Sequence, residues 1–251
     1  MKVVSDAEFT NNLTVGGHLQ VNGTHNITAG KPALDMHEDF IINPATANTY
    51  GSTVLSVAQT EMYTNISQVS FINQGFPGII NLSASTPFPP AGCMITSRDG
   101  INYVMQGEEF EYIVRPQDGI TASTRTELGR FNLESDANSS ITTGIFVEIF
   151  QGEIRIKAGS SSVQILSTTV CTYSNGNWYR IKIKVVPGSV ECTVYNANGT
   201  VRGTGSVFST WFYTTFAVPL MRVRHSHISS GSSSFYLDSF RYTIPNITIR
   251  G

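Results

Sequence analysis

Charge is scarce in this chain: Asp, Glu, Lys and Arg make up 14% of its 251 residues, against roughly 25% in an average soluble protein. The few charges nearly cancel, to a formal net of −2, which leaves no electrostatic case for nucleic acid or an anionic membrane as partner. Cysteine is sparse too. Cys93, Cys171 and Cys192 are an odd number, lie far apart and have no metal-ligand spacing. Three reduced, mostly buried thiols made in a reducing compartment are expected, with a Cys171–Cys192 bridge as the alternative. No stretch approaches the roughly 18 to 20 apolar residues of a membrane-spanning helix, so membrane insertion is not expected. The opening Met-Lys-Val-Val-Ser-Asp lacks the apolar run of a secretory signal, which points to synthesis in the cytoplasm. Nor does any segment carry a clear 3.6-residue apolar period. Helix bundles, coiled coils and basic DNA-binding modules are excluded.

What is there instead is small and uncharged: 27 Ser, 27 Thr, 17 Asn and 22 Gly. Ser, Thr and Asn compete for backbone hydrogen bonds and Gly loses the most entropy on ordering, so this mixture disfavours long helices. A hydrophobic share of 40% is enough for a core and argues against intrinsic disorder. The same composition scatters eight Asn-x-Ser/Thr sequons along the chain, from Asn12 to Asn246; without a signal segment they read as composition.

The first 30 residues repeat in sixes: Leu13-Thr-Val15-Gly-Gly17-His, Leu19-Gln-Val21-Asn-Gly23-Thr, His25-Asn-Ile27-Thr-Ala29-Gly. Alternation along an extended strand puts Leu13, Val15 and Gly17 on one face. Short repeats of this kind signal stacked β-units that cannot bury their apolar face alone. Two readings follow. Three copies wrapped about an axis would bury Leu13, Val15, Leu19, Val21 and Ile27 as the stalk of a homotrimer; or the segment is an intrachain hairpin turning at Gly16-Gly17 and Asn22-Gly23. Gly30-Lys-Pro-Ala33 reads as a break, giving an attachment and trimerisation segment over 1–33 and a second domain over 34–251.

In that second domain short strand patterns recur with turn signals between them, as in a sandwich or jelly roll. Phe110 to Val114 alternates; Ile145 to Phe150 and Ile154 to Ala158 form a hairpin about Gln151-Gly152. Ile181, Ile183 and Val185 point inward with Arg180, Lys182 and Lys184 outward. Pro187-Gly188 then turns the chain into Val190 to Tyr195, which closes at Asn198-Gly199. Val218 to Val223 and Phe235 to Ile244 supply two more strands. The fold class is all-β.

The order of these pieces is familiar. Gly144-Ile-Phe-Val-Glu148, Ile156-Lys-Ala158, Asn177-Trp-Tyr-Arg-Ile-Lys-Ile183, Val194-Tyr-Asn-Ala-Asn-Gly199 and Phe235-Tyr-Leu-Asp-Ser-Phe240 together resemble the concanavalin A-like lectin/glucanase domain of bacteriophage tail and virion structural proteins. The resemblance covers roughly residues 36 to 245, and the N-terminal Asn-Leu-Thr-Val-Gly-Gly and Val-Asn-Gly-Thr phrases look like the repeats of phage fibre shafts. It implies an antiparallel β-sandwich jelly roll of two curved sheets, preceded by a short β-repeat stalk. It also implies a place in the virion, as a tail fibre, spike, head fibre or capsid decoration, with other virion proteins bound through the N-terminus and host-surface polysaccharide as the ligand. Trp178, inside the resembling motif, is expected in the core.

Some members of that fold hydrolyse β-glucans with carboxylates spaced Glu-x-Asp-x-x-Glu on one strand. Glu148-Ile-Phe-Gln-Gly-Glu153 is the nearest match, but Phe150 stands where the central acid would be and Gln151-Gly152 reads as a turn. Glu148 and Glu153 are therefore expected as solvated strand residues, as is the Glu108-Glu109-Phe-Glu111 start. No enzymatic activity is expected, a glycan depolymerase being the alternative and a secreted cellular lectin a further one. With no phosphate loop, nucleophile elbow or metal-binding His-Glu-x-x-His motif, no cofactor is expected. His225-Ser-His227 places two imidazoles on one side of a strand, but a metal needs three or four ligands and no third is identifiable from spacing; a polar strand end or inter-subunit contact fits them better. Sugar binding needs aromatic faces and fixed polar groups, and Trp211, Tyr213, His225 and His227 are the candidate residues. A buried strand or subunit contact competes as the role of Trp211-Phe-Tyr213.

Overall fold

The computed structural model describes residues 34–38, 55–59, 64–71, 76–86, 91–97, 100–101, 107–117, 124–133, 140–160, 163–208, 218–219, 222–227 and 231–244. All belong to the larger of two units into which the chain divides, Lys31–Gly251. The stalk residues Leu13, Val15, Leu19, Val21 and Ile27, and the sugar-site candidates Trp211 and Tyr213, lie outside the described residues.

Every described element is a strand: β1 (Leu34–Glu38), β2 (Leu55–Gln59), β3 (Thr64–Phe71), β4 (Phe76–Thr86), β5 (Ala91–Ser97), β6 (Gly100–Ile101), β7 (Glu109–Pro116), β8 (Thr124–Leu133), β9 (Ile141–Phe150), β10 (Glu153–Ser160), β11 (Val163–Thr172), β12 (Tyr179–Val186), β13 (Ser189–Asn196), β14 (Val201–Phe208), β15 (Val218–Pro219), β16 (Arg222–His227) and β17 (Gly231–Ile244). The stretch read from sequence as one strand over 218–223 is split between β15 and β16, which belong to different sheets.

Two antiparallel sheets make the sandwich. An eight-stranded sheet runs β14-β13-β12-β7-β17-β4-β3, with β1 also paired to β17; a seven-stranded sheet runs β11-β10-β9-β8-β16-β5-β2. β15 and β6 form a separate two-stranded ribbon. The period-2 pattern of the sequence sets the inner faces. β7 sends in Phe110, Tyr112 and Val114, β12 sends in Tyr179, Ile181, Ile183 and Val185, and β17 sends in Phe235 and Leu237; from the other sheet come Leu128, Ile145, Val147, Ile149, Ile154 and Ile156. Each of these is at most 1% exposed, and a fully buried Leu, Ile or Phe contributes on the order of 1.5–3 kcal/mol.

The β9–β10 hairpin has positive φ at both turn residues, 51° at Gln151 and 80° at Gly152. This is the type I′ geometry whose twist matches the flanking strands. It delivers Glu153 onto β10, as Gln151-Gly152 implied.

Three polar contacts cross or line the interior. Arg130 on β8 sends its Nη1 to Glu108 Oε1 at 3.0 Å and Oε2 at 2.8 Å, with both side chains fully buried. The expectation of a solvated Glu108 is corrected: it shares strand parity with Phe110 and so enters the core, where an unpaired carboxylate would be costly without Arg130. His225 is also fully buried. Its Nδ1 lies 2.8 Å from Thr126 Oγ1 and its Nε2 2.9 Å from Ser233 Oγ, which tie β8 and β17 through one ring, and the ring stacks on Phe235 at 5.9 Å.

Candidate functional site

The outer faces of the two sheets differ in kind. On the seven-stranded sheet, register lines up Arg224 of β16, Glu127 of β8, Glu148 of β9 and Arg155 of β10 in one row. Glu127 and Glu148 are direct cross-strand partners, an arrangement that repels unless cations intervene. They do. Arg224 grips Glu127 with Nε to Oε2 at 2.9 Å and Nη2 to Oε1 at 2.8 Å. Arg125 Nε lies 3.2 Å from Glu148 Oε1, and Lys157 Nζ 2.7 Å from Glu148 Oε2. Arg155 adds a longer contact to Glu148 at 3.8 Å and holds Glu153 at 2.7 Å. The Arg155 partnership outweighs the small desolvation of the Glu153 carboxyl and keeps it below the usual carboxylate range.

The expectation of a solvated Glu148 is corrected. It is 2% exposed and Glu127 1%, because their strand parity puts them with the buried Phe146 and their charges are met by four basic side chains. Phe150 lies beneath Arg125, whose guanidinium carbon is 4.8 Å from the ring centre. Retaining glycoside hydrolysis needs one carboxyl that gives up a proton to the leaving group and another free to attack. Here the facing carboxylates of Glu127 and Glu148 lie in ion pairs with Arg and Lys side chains.

The outer face of the eight-stranded sheet is the contrary case. Register aligns Asn81 of β4, Tyr236 of β17 and Arg115 of β7. Trp178 continues the row, one residue ahead of the Tyr179–Val114 pair. Ser83 and Ser234 pair in the next row, and Gln117 joins them through its backbone N–H to the Ser234 carbonyl at 3.2 Å. The guanidinium carbon of Arg115 lies 5.9 Å from the Trp178 ring centre and 6.0 Å from that of Tyr236, at the outer edge of cation–π range. Beside them Arg180 packs over Tyr195 at 4.3 Å. Three buried polar atoms on this face, Asn81 Oδ1, Arg115 Nε and Gln117 Nε2, have no hydrogen-bond partner among the described residues. Each such group costs about 1–3 kcal/mol while it stays unpaired, and native structures hold few of them. The far end of the same face is closed: Lys182 and Lys184 bind Glu109 at 2.6 and 3.2 Å. Burial of the Glu109 carboxyl opposes ionisation, but the two lysines outweigh it and hold the group below the usual range.

Of the four sugar-site residues expected from sequence, the described residues include His225 and the backbone of His227. His225 is a core residue with both ring nitrogens engaged, so it has no edge to offer a ligand. His227 ends β16 opposite Thr124 and Ala91, and its side chain lies outside the described residues. Trp178, expected in the core, is half-buried on the outer face; its neighbour Tyr179 takes the core position. Of the cysteines, Cys192 is buried and Cys171 partly so, both as free thiols. Burial pushes both above the usual thiol range.

Two facing antiparallel sheets around one apolar core, with strand orders that run back and forth between them, define a lectin-type jelly-roll β-sandwich. The sequence matches the SO2946-like C-terminal domain over residues 75–229, more than half of its length. The chain belongs to that family. A protein of unknown function, SO2946 from Shewanella oneidensis, superposes with a TM-score of 0.60 at 16% identity, over 91% of this chain and 94% of its own. Peanut lectin does so at 0.56 with 8% identity over 84% and 96%. A legume lectin-like domain from Entamoeba histolytica does so at 0.53 with 11% identity over 77% and 91%. At these identities the likeness is one of fold. No protein with a curated description matches the sequence.

Proposed function

We propose that this chain is a non-enzymatic sugar-binding module, displayed on a bacteriophage particle as a fibre, spike or decoration, and that its ligand lies on the Asn81–Tyr236–Arg115–Trp178 row. One observation carries the reading: aromatic rings and unpaired buried amide, carbonyl and guanidinium atoms occur together on an outer face of a lectin-type sandwich. Sugar rings stack their C–H faces on aromatic side chains and satisfy fixed polar atoms with their hydroxyls, which is what this face lacks in isolation. The absence of catalysis is supported by the ion-paired state of Glu127 and Glu148.

The particle setting is supported by the six-residue repeats before Gly30, their likeness to fibre shafts, and a Ser/Thr/Asn/Gly-rich composition of low charge. A trimer would turn weak single-site contacts into avidity without any new contact. The test has three parts. Trp178→Ala and Tyr236→Ala each weaken retention on host-surface polysaccharide at least tenfold, while incubation releases no reducing ends. Light scattering of the full chain gives three times the monomer mass. Deleting residues 1–30 returns it to one. Steady release of reducing ends would favour a depolymerase; a strict full-length monomer would remove the stalk.

A further inference from the structure

The row proposed to bind sugar contains charge as well as aromatic faces, and the charge is unevenly settled. At one end of the eight-stranded sheet's outer face Glu109 neutralises Lys182 and Lys184. At the other end Arg115 and Arg180 are held by rings: Arg115 near Trp178 and Tyr236, Arg180 over Tyr195. Among the described residues neither guanidinium has a carboxylate within ion-pair distance. The two lie on adjacent strands, since Arg180 is the register partner of Ile113, two residues from Arg115, and a diagonal neighbour of this kind is about 7–8 Å away.

A guanidinium stacked on aromatic faces keeps its N–H groups in the plane between them. The donors of that planar group form a fixed fork, and a carboxylate matches the fork with two parallel hydrogen bonds. Arg115 already has one of these donors, Nε, buried and unpartnered. The flanking Asn81 Oδ1 and Gln117 Nε2, equally unpartnered, suit hydroxyl groups rather than a second charge.

Resting on the sugar-binding reading above, we infer that the ligand is an acidic polysaccharide, with a uronic- or sialic-type carboxylate seated on Arg115 and Arg180 assisting. Nucleic acid, the other polyanion with stackable rings, suits the surface less well. Backbone binding needs many cations along a track, whereas this chain carries a net −2 and spends Lys182 and Lys184 on Glu109.

The test uses the full chain in affinity electrophoresis through gels holding polygalacturonate, alginate or hyaluronan, each beside its methyl ester, with neutral mannan and galactan as further lanes. The wild-type chain is retarded by at least one acidic polymer and at least tenfold less by the ester of the same polymer. Arg115→Gln loses ten- to hundredfold of the acidic binding, the scale of a charged hydrogen-bonded pair, and much less of any binding to the ester, so that the preference for acid over ester collapses. Arg115→Lys falls between, keeping the charge but not the fork. An unshifted thermal unfolding midpoint shows that Arg115→Gln is folded. Should Arg115→Gln prove unstable, Arg180→Gln gives the same comparison with a smaller loss. Equal retardation by acid and ester, or by the neutral polymers alone, overturns the acidic assignment and leaves sugar binding standing. Retardation by none of the polymers overturns both. Displacement of the acidic polymer by a short oligo-dT at lower concentration overturns the choice of sugar over nucleic acid.

Discussion

The two outer faces are built from the same strand alternation and reach opposite states. On the seven-stranded sheet the buried Glu127 and Glu148 sit among Arg224, Arg125, Arg155 and Lys157, so that even the buried atoms without a hydrogen bond, Arg125 Nε and Glu148 Oε2, have an opposite charge within 3.2 Å. On the eight-stranded sheet two guanidiniums lie against aromatic rings with no carboxylate at ion-pair distance among the described residues, and the unpaired buried atoms Asn81 Oδ1, Arg115 Nε and Gln117 Nε2 lie beside those rings. The difference teaches that burial alone does not mark a functional surface. The more buried face meets its charges with opposite charges, whereas Arg115 and Arg180 on the half-exposed face meet only rings.

The comparison breaks first at Glu127. Glu127→Ala leaves Arg224 buried without its bidentate partner, at an expected cost of about 3–5 kcal/mol in urea or thermal unfolding. Replacing the pair together, Glu127→Leu with Arg224→Met, recovers most of that loss. A cost under about 1 kcal/mol for the single change would mean the ionic layer does not hold the face together. Gly144→Ala comes next. Gly144 has φ +158°, and an added Cβ would sit 2.5 Å from the Arg130 carbonyl oxygen and 2.6 Å from Phe131 Cα. Overpacking of this kind costs on the order of 1–3 kcal/mol, read as a lower denaturation midpoint with unchanged slope. On the other face the effect moves from stability to binding. Trp178→Ala and Tyr236→Ala are expected to change stability by about 1 kcal/mol or less while weakening sugar retention at least tenfold. An equal loss of stability on both faces would erase the contrast.

The smallest effect is at Glu109. Its carboxyl is held below the usual range by Lys182 and Lys184 against the opposing effect of burial. Its contribution is therefore complete above the ordinary carboxylate range and is lost as pH falls through the lowered folded value. Glu109→Gln is expected to cost a few tenths to about 1 kcal/mol at neutral pH. The difference from wild type shrinks in high salt and vanishes in acid; a difference that grew as pH fell would reverse the assignment.

Much of the fold was legible because local rules decide it. The Gln151-Gly152 turn, the inward Ile181, Ile183 and Val185, and the return after Pro187-Gly188 all follow from period-2 alternation and turn chemistry. Parity also held information that a motif-level reading passed over. Trp178 has the parity of Arg180 and Lys182, so it faces out with them; Glu108 has the parity of Phe110, so it goes in; Glu148 has the parity of Phe146 and shares its burial. The candidate site itself was not legible. Asn81, Tyr236, Arg115 and Trp178 come from four separate stretches, and only the register across β4, β17, β7 and β12 brings them into line. No local spacing encodes that order. His225 was misplaced for a related reason: its partners, Thr126 and Ser233, come from two different sheets.

At one margin the sandwich is thin. Gly203 and Gly205 of β14 leave no side chain where β11 lies across them; a Cβ on Gly203 would stand 2.8 Å from Cys171 Cβ, and one on Gly205 3.1 Å from a Val170 methyl carbon. The last strand of one sheet is thus laid flush on the last strand of the other, like the lips of a closed seam. A methyl group on Gly203 would also press on the Val170 carbonyl oxygen. Any side chain at Gly203 would have to force those two edge strands apart.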